Sequence, residues 1–182
     1  MTRSTRHRIV AAGLLACALA LLGSAAWSAI FLPVEGEFPL TVTAPGIAAE
    51  TPGVALAGDG RFFVAYQSAS GDLGEIPGTD GVYLLQFDSG DAPIGLPQLL
   101  NTVVAGEQRE PDIACAVDGR AMVVWVEETG GMFRIRLRRF AADGSALSVV
   151  EDTLRGPTPS RLSGPRVSGD GSGAFVVAWA EE

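Results

Sequence analysis

Three stretches of the chain repeat the same order of apolar and polar positions. They span residues 52–66, 111–125 and 165–179, align without a gap, and each begins with proline and ends on an aromatic residue. A glycine lies eight residues after each proline, and a nearly unbroken apolar run (FFVAY, MVVW or FVVAW) follows it. Apolar runs rich in β-branched and aromatic residues, bounded by glycine, are typical of strands buried on both faces. We therefore predict three β-hairpins whose second strands are buried on both faces.

The turns of these hairpins carry a second signal. Asp59-Gly60 and Asp118-Gly119 are dipeptides that accept positive φ at both central positions of a tight turn, which matches the twist of a hairpin. Ser172-Gly173 holds this place in the third stretch and is a weaker turn former. The sequence thus predicts two well-specified turns and one that is less well specified.

Further strands extend each hairpin into a unit of four. Phe87 and Phe140 both precede turns rich in glycine and aspartate, and similar apolar residues flank them in the two copies. The predicted strands are 53–57, 61–67, 81–87 and 96–102, then 112–117, 120–127, 132–140 and 146–153, then 165–169 and 174–180. Residues 36–43 resemble 96–102, so we expect them to be the last strand of a preceding unit. The prediction is one all-β domain at 30–182, with antiparallel four-stranded repeats near 52–102, 111–153 and 165–182, the last of them partial.

The first 29 residues have the features of an export signal. Arg3, Arg6 and Arg8 form a basic start, residues 9–22 are apolar, and small residues that suit cleavage follow. Because apolar residues continue to Leu32, an uncleaved anchor formed by residues 9–32 is the alternative. Both interpretations predict an N-terminal hydrophobic helix and an exported protein that is periplasmic, at the cell surface or extracellular.

The charge balance narrows the range of partners. The chain carries 13 basic and 21 acidic residues, for a formal net charge of −8. Loss of the leader would remove basic residues only, which leaves the remainder more acidic. Nucleic acids and anionic membrane surfaces attract basic proteins. We therefore expect no nucleic-acid partner, and contact with a membrane only through an uncleaved N-terminal segment.

The chain has too few histidine and cysteine residues for several classes of catalytic site. The only histidine, His7, lies in the leader, and Cys115 is the only cysteine after it. Ser-His-Asp and Cys-His catalysis and His-ligated zinc all need a histidine in the mature protein. We predict no enzyme of these classes, no cofactor and no metal. Cys115, between two alanines, is interpreted as a small buried hydrophobe.

Residues 133–140, FRIRLRRF, form the one charged strand pattern. In a strand, Arg134, Arg136 and Arg138 share a face with Phe140, while alternate residues share the other. Three guanidinium groups in a row suit carboxylate, sulfate or phosphate groups, so this face is a weak candidate for anion binding. The competing interpretation is an outward strand whose arginines pair with the abundant acids.

Acidic and aromatic residues supply weaker candidates. Glu127-Glu128 and Glu181-Glu182 end two second strands, and the loop at 68–81 holds more acids. A calcium site and a carboxylate pair for glycoside hydrolysis are therefore open alternatives to solvated acids. The aromatic residues that end the three stretches would stack on sugars if exposed, but their common place on a buried strand favours the core.

The motifs P-x-V-A, D-G and F-V-V-x-W in four-stranded units resemble the β-propeller-like repeats, of about 50–60 residues, found in large exported bacterial proteins, some of them surface or adhesin-like. The resemblance covers roughly residues 36–182 and rests on turn and core residues. It implies a propeller-like fold and no catalytic residue. About two complete blades and partial ones form an incomplete ring. We expect a fragment of a longer propeller, with assembly of several copies or a smaller β-sandwich as alternatives.

These observations favour a non-catalytic β-repeat protein that binds or scaffolds at the bacterial cell surface or in the periplasm, with a carbohydrate or a protein as its ligand. The alternative is a fragment of a propeller enzyme that acts on carbohydrate through Asp and Glu residues. A segment that is purely structural and binds no ligand is the third hypothesis.

Overall fold

The computed structural model describes residues 49–69 and 80–182, which fold into antiparallel β-structure. The strands are β1 (Ala49–Leu56), β2 (Phe62–Ala69), β3 (Asp80–Phe87), β4 (Gln98–Leu99), β5 (Glu107–Cys115), β6 (Ala121–Thr129), β7 (Met132–Phe140), β8 (Asp152–Thr158), β9 (Leu162–Gly169) and β10 (Phe175–Glu181). No helix occurs within these two ranges. The all-β, antiparallel class is therefore confirmed. The predicted export segment with its hydrophobic helix and the predicted strand at 36–43 lie outside the described residues.

The strands form three open sheets in which neighbours along the chain are neighbours in space. The first sheet has the order β1-β2-β3-β4, the second β5-β6-β7-β8, and the third pairs β9 with β10. The predicted D-G turns connect β1 to β2 and β5 to β6, but only the glycines have positive φ, 88° at Gly60 and 86° at Gly119, whereas Asp59 and Asp118 do not. Only glycine adopts such angles without steric cost, which explains its place in both turns. The described sheets do not close into a ring.

The second sheet lies between the other two, and its central strand β6 contributes to both interfaces. Val123 and Trp125 pack in a core with Phe63 of the first sheet. On the opposite face of β6, Val124 packs against Val177 of the third sheet. Side chains of a strand alternate between its faces, so an unbroken apolar run serves two interfaces at once.

Burial on both faces is confirmed for two of the three predicted second strands. Residues 62–68 of β2 and 121–127 of β6 are all buried. The prediction is wrong for β10, where Val176 is 72% exposed and every second residue lies in water. Among the described residues, the third sheet packs on a neighbour through one face only. The sequence of β10 is as apolar as that of β6, so the difference is one of packing and not of composition.

The fourth strands differ most from the predicted boundaries. The strand predicted at 96–102 pairs only at Gln98–Leu99, and the one predicted at 146–153 lies at Asp152–Thr158. Side chains add to backbone bonds at both places, where the N–H of Leu100 donates to the carbonyl of Val82 at 2.8 Å and that of Leu147 to Arg139 at 2.9 Å. Asn101 Oδ1 accepts the N–H of Val82 at 3.0 Å. Arg138 donates to the carbonyls of Ser148 and Val149, each at 3.2 Å.

Each first strand carries a bulge at its proline. At each bulge, two residues lie opposite one residue of the partner strand. The bulged pairs are Thr51-Pro52 in β1, Glu110-Pro111 in β5 and Gly164-Pro165 in β9. The residue before each proline has positive φ, namely 46° at Thr51 and 56° at Glu110 and Gly164. Such angles are uncommon for residues other than glycine and concentrate at functional or strongly constrained positions.

Candidate functional site

The three bulges approach one another where β1, β5 and β9 run side by side. A pocket of about 470 Å³ opens there, lined by Thr51, Pro52, Glu110, Pro111, Asp112 and Arg166. This volume falls within the range of small-molecule sites, which is roughly 300–1,000 Å³. The bulges turn side chains away from the regular ladder and towards this space. We treat this inner-strand pocket as the candidate site.

The carboxylates of the inner-strand pocket hold neighbouring sheets together. Glu110 Oε2 accepts the N–H of Gly164 at 2.6 Å, and Asp112 Oδ2 accepts the N–H of Val167 at 2.8 Å. The backbone N–H of Glu110 donates to Gln67 Oε1 of the first sheet at 3.2 Å. Charge-assisted bonds of this kind are stronger than neutral ones. One oxygen of each carboxylate is thus committed to the third sheet.

Arg166 is the cation of the inner-strand pocket. Among the described residues, its guanidinium makes one hydrogen bond, from Nη1 to the carbonyl of Pro165 at 2.8 Å. Arginine carries five donors, so most of them face the pocket or the solvent. The pocket therefore presents donors from Arg166, acceptors from Glu110 and Asp112, and the apolar rings of two prolines.

The structure places two of the predicted arginines on a buried carboxylate. Arg134 Nη1 lies 2.6 Å from Glu127 Oε1, and Arg136 Nε lies 2.7 Å from Glu127 Oε2. The side chain of Glu127 is only 2% exposed. Because both carboxylate oxygens are occupied, the two arginines neutralise one buried charge between the first and second sheets. The alternative interpretation of this strand was that its arginines pair with acids on an outward face. Arg134 and Arg136 do pair with an acid, but on a buried face.

Arg138, the third predicted arginine, is 7% exposed and binds backbone carbonyls instead of an acid. Its Nη1 donates to the carbonyl of Leu100 at 3.0 Å, while Nη2 reaches the two carbonyls before β8. Burial lowers the pKa of this guanidinium, and the charge of Glu151 counteracts that effect. Its Nε has no hydrogen-bond partner in the described part of the chain. Anion binding by the arginine face remains a prediction.

Glu151 fixes the segment that connects the first sheet to the second. Its carboxylate accepts the N–H and the hydroxyl of Thr102 at 3.0 Å and 2.6 Å, and the N–H of Val103 at 3.3 Å. Burial alone would raise the pKa of Glu151, but these hydrogen bonds outweigh it and lower the pKa. The carboxylate is therefore a structural acceptor.

A D-G-R sequence forms the same clamp in both predicted D-G turns. Asp59 accepts the side-chain Nε of Arg61 at 2.7 Å, and Asp118 accepts that of Arg120 at 2.7 Å. Hydrogen bonds from Arg61 lower the pKa of Asp59, and those from Arg120 lower the pKa of Asp118. Each arginine also reaches the next sheet, Arg61 at the carbonyl of Ala142 and Arg120 at that of Ser172. The motif connects neighbouring sheets as well as closing a turn.

The remaining candidates occupy structural positions. Trp125 is fully buried and donates from Nε1 to Gln108 Oε1 at 2.9 Å. Within residues 49–69 and 80–182, no three acidic, histidine or cysteine side chains group as metal ligands would. The loop acids Asp72 and Glu75 lie outside the described residues. Burial raises the pKa of Cys115 to about 11, which keeps it a thiol at neutral pH.

Sequence reasoning missed the inner-strand pocket, although a signal was present. The predicted strands begin at or just after the recurring proline, whereas that proline lies within β1, β5 and β9 at a bulge. A proline that recurs inside an apolar strand of this chain indicates a bulge, since proline cannot donate to a ladder. Thr51 and Glu110, which precede two of these prolines, were the residues to single out.

Comparisons with known proteins identify no family for this chain. No protein-family model matches the sequence, and no curated protein matches it. In the described part of the chain, no helix has the length and apolar character needed to cross a membrane.

Proposed function

We propose that the protein is an exported, non-catalytic β-repeat protein of propeller-like design, which binds a ligand or acts as a scaffold at the bacterial cell surface or in the periplasm. The observation that carries the proposal is the inner-strand pocket, where the first strands of three stacked sheets meet. In propellers the innermost strands of successive blades surround a central channel. The resemblance of the repeats to those of exported surface proteins supports the same assignment.

The non-catalytic part of the proposal rests on how the acids are used. Glu110 and Asp112 each accept a backbone N–H of the third sheet, and Glu127 is enclosed by two arginines. A general acid or base must release and take up a proton at the substrate, which such fixed structural bonds oppose. These carboxylates are better suited to hold geometry than to perform chemistry.

The pocket chemistry favours a carbohydrate as the ligand. Sugars present hydroxyl groups that accept from Arg166 and donate to the second oxygen of Asp112. The second oxygen of Glu110 already lies 3.9 Å from Arg109 Nε. Sugars also present apolar C–H faces, which match the rings of Pro52 and Pro111. The two carboxylates and one guanidinium leave the pocket with an excess of negative charge, which disfavours anionic ligands.

Binding to a panel of bacterial and host oligosaccharides tests this proposal. We expect at least one member to bind, and Arg166→Ala to weaken that binding about tenfold, as expected for the loss of a charged hydrogen bond. Arg161→Ala is the matched control, because Arg161 is an exposed arginine on the end of the same sheet and does not line the pocket. Equal loss in both variants, or no binding by any member, would contradict the proposal.

The second candidate is a propeller enzyme that hydrolyses carbohydrate through two carboxylates. It is favoured by the presence of Glu110 and Asp112 in one pocket where three sheets converge. Glycoside hydrolases use such pairs as acid and base or nucleophile. Hydrolysis of a bound oligosaccharide that is abolished by both Glu110→Gln and Asp112→Asn would establish this candidate over the first.

Export and the propeller-like assembly are tested together by the mass and solution size of the protein recovered from its native host. A periplasmic or extracellular product that is part of a longer chain, or a defined oligomer, supports a ring. A monodisperse 182-residue monomer would instead favour a compact sandwich.

A further inference from the structure

The inner-strand pocket contains one carboxylate that no cation neutralises. In the described part of the chain, Asp112 forms no ion pair, and the guanidinium of Arg166 bonds a backbone carbonyl instead. The other carboxylate of the pocket, Glu110, lies 3.9 Å from Nε of Arg109, which in turn contacts Glu128 at 2.6 Å. The uncompensated negative charge of the pocket is therefore centred on Asp112.

The two oxygens of Asp112 point towards the strands on either side of β5. Oδ2 accepts the N–H of Val167 in β9 at 2.8 Å. Oδ1 lies on the β1 side, 3.5 Å from the position that a Cβ would occupy at Gly53. Because glycine has no side chain, Gly53 leaves this oxygen uncovered, and Oδ1 accepts no hydrogen bond from the residues that the structure describes. One oxygen thus fixes the carboxylate to the third sheet, and the other is placed to accept a bond from a ligand.

An organic cation suits this oxygen better than a metal ion does. An ammonium group supplies three N–H donors and a full positive charge, and hydrogen bonds between charged groups are about twice as strong as neutral ones. A calcium ion would need roughly six to eight oxygen ligands. Within residues 49–69 and 80–182, no cluster of metal-ligating side chains forms. The chemistry around Asp112 therefore favours an ammonium group.

We propose that the inner-strand pocket recognises an amino sugar, whose ammonium group binds Asp112 Oδ1 and whose neighbouring hydroxyl groups accept from Arg166. The apolar C–H face of the sugar ring lies on Pro52 and Pro111. This inference rests on the proposed function and narrows its ligand from carbohydrates in general to those with a cationic amino group. A lysine side chain would offer the same ammonium, but it has no hydroxyl groups for Arg166 and loses more conformational freedom on binding.

Three oligomers with one backbone separate the ammonium group from the rest of the sugar. Oligomers of cellulose, chitin and chitosan share their linkage and differ in a single ring substituent, which is a hydroxyl, an acetamide or an ammonium group respectively. We expect the full chain to bind the chitosan oligomer about tenfold more tightly than the other two. Calorimetry at about pH 5.5 makes this comparison, because amines are then protonated and carboxylates are ionised. A lysine peptide of the same charge should bind at least about tenfold more weakly than the chitosan oligomer.

Asp112→Asn tests the residue to which we assign this preference. The asparagine oxygen keeps the bond to the N–H of Val167, so its amide N–H groups face the pocket and the preference for the chitosan oligomer should disappear. A sugar hydroxyl both donates and accepts, so binding of the cellulose oligomer should stay within about threefold. Asp152→Asn is the matched control, because it removes the same charge at a half-exposed position outside the pocket. It should leave the tenfold preference intact, which separates the pocket from the general attraction of a cation to an acidic protein.

Gly53→Ala covers the same oxygen without changing its charge, and it serves as the second variant if Asp112→Asn fails to fold. The added Cβ would meet Asp112 Oδ1 at 3.5 Å and Ile113 at 3.4 Å, which are ordinary contact distances. It should reduce the preference for the chitosan oligomer at least about threefold.

The outcomes separate this inference from the proposed function. Equal binding of the three oligomers, a preference that survives Asp112→Asn, or a lysine peptide that binds as tightly as the chitosan oligomer would each overturn the amino-sugar inference alone. Binding of another oligosaccharide, but not of the chitosan oligomer, would do the same. Failure of every oligosaccharide to bind would overturn both.

Discussion

Glu127 is a carboxylate that the fold removes from water, so its charge has to be balanced in place. Arg134 and Arg136 provide that balance, and each is itself mostly buried, with 24% and 15% of the side chain exposed. Removing one member of a buried ion group leaves the others uncompensated, which costs far more than the group contributes to net stability. This cluster is therefore a sensitive point of the interface between the first and second sheets.

We predict that Glu127→Gln lowers the free energy of unfolding by about 3 kcal/mol, because two guanidinium groups lose their anion. Asp152→Asn is the control. Asp152 pairs with Arg139 at 2.9 Å, but both side chains are about half exposed, so this variant should cost about 0.5 kcal/mol or less. Urea unfolding of both variants gives the comparison. Costs of similar size would show that the Glu127 cluster is not energetically special.

Glu151 predicts a defined dependence of stability on pH. Its pKa is lowered in the folded protein, so the folded state favours its charged form. The resulting stability is present above the unfolded pKa, near 4.5, and is lost as the pH falls through the lower folded pKa. Glu151→Gln should cost about 1 kcal/mol at pH 7. Urea unfolding between pH 7 and pH 3 should show this difference shrinking below about pH 4.5. A difference that stays constant with pH would contradict this role of Glu151.

At the scale of the strand, the bulges combine a strained backbone with contacts made by the side chain. Thr51 and Glu110 both adopt a left-handed backbone that costs an ordinary residue about 1–2 kcal/mol, and Gly164 occupies the same position without that cost. Only Glu110 uses its side chain to bind the next sheet, through the N–H of Gly164. The strain at Glu110 therefore has a compensating contact, whereas within the described residues Thr51 makes a long hydrogen bond of 3.4 Å to Gln67.

We therefore predict that Thr51→Gly stabilises the protein by about 0.5 kcal/mol, because relief of strain exceeds the entropy that glycine adds to the unfolded chain. Glu110→Gly should be neutral or destabilising, since the carboxylate contact is lost with the strain. Thermal unfolding of the two variants distinguishes these outcomes. Val54→Gly is a control at an exposed position of β1 with regular φ and should destabilise by about 0.5–1 kcal/mol. A loss of stability in Thr51→Gly would show that its backbone is not strained.

The elements that sequence reasoning located correctly are those fixed by local signals. Strands β2, β3, β6 and β7 lie within one or two residues of their predicted positions, because apolar runs and D-G turns specify them without reference to distant parts of the chain. The fourth strands depart from their predicted bounds, since β4 is shorter and β8 begins later. Near them, Asn101 and Arg138 bond backbone groups of β3 and of the segment before β8. Such bonds depend on tertiary contacts that no local pattern reveals.

The candidate site was less predictable than the fold for a related reason. The arginines of β7 were recognised as a stripe, but their partner depends on the pairing of β6 with β7 and on the burial of Glu127. The inner-strand pocket arises from three bulges far apart in the sequence. The proline that marks each bulge was visible, but its meaning appears only when the first strands lie together.

At the scale of the whole molecule, the stacking of three sheets predicts a gradient of local stability. The second sheet is covered on both faces, whereas the third is covered on one and has an open edge in the described part of the chain. Local opening costs less free energy where fewer apolar contacts are lost. The gradient should therefore run from β6 towards β10, although the two strands are alike in sequence.

Hydrogen exchange followed by mass spectrometry measures this gradient. We predict that amides of residues 121–127 exchange at least about tenfold more slowly than those of residues 175–181, which corresponds to a difference of about 1.4 kcal/mol in opening free energy. The two segments provide their own control, because both are apolar second strands that follow a glycine turn. Equal protection of the two segments at every protein concentration would contradict the gradient. Protection of residues 175–181 that falls on dilution would instead show that a second copy covers β10 in solution.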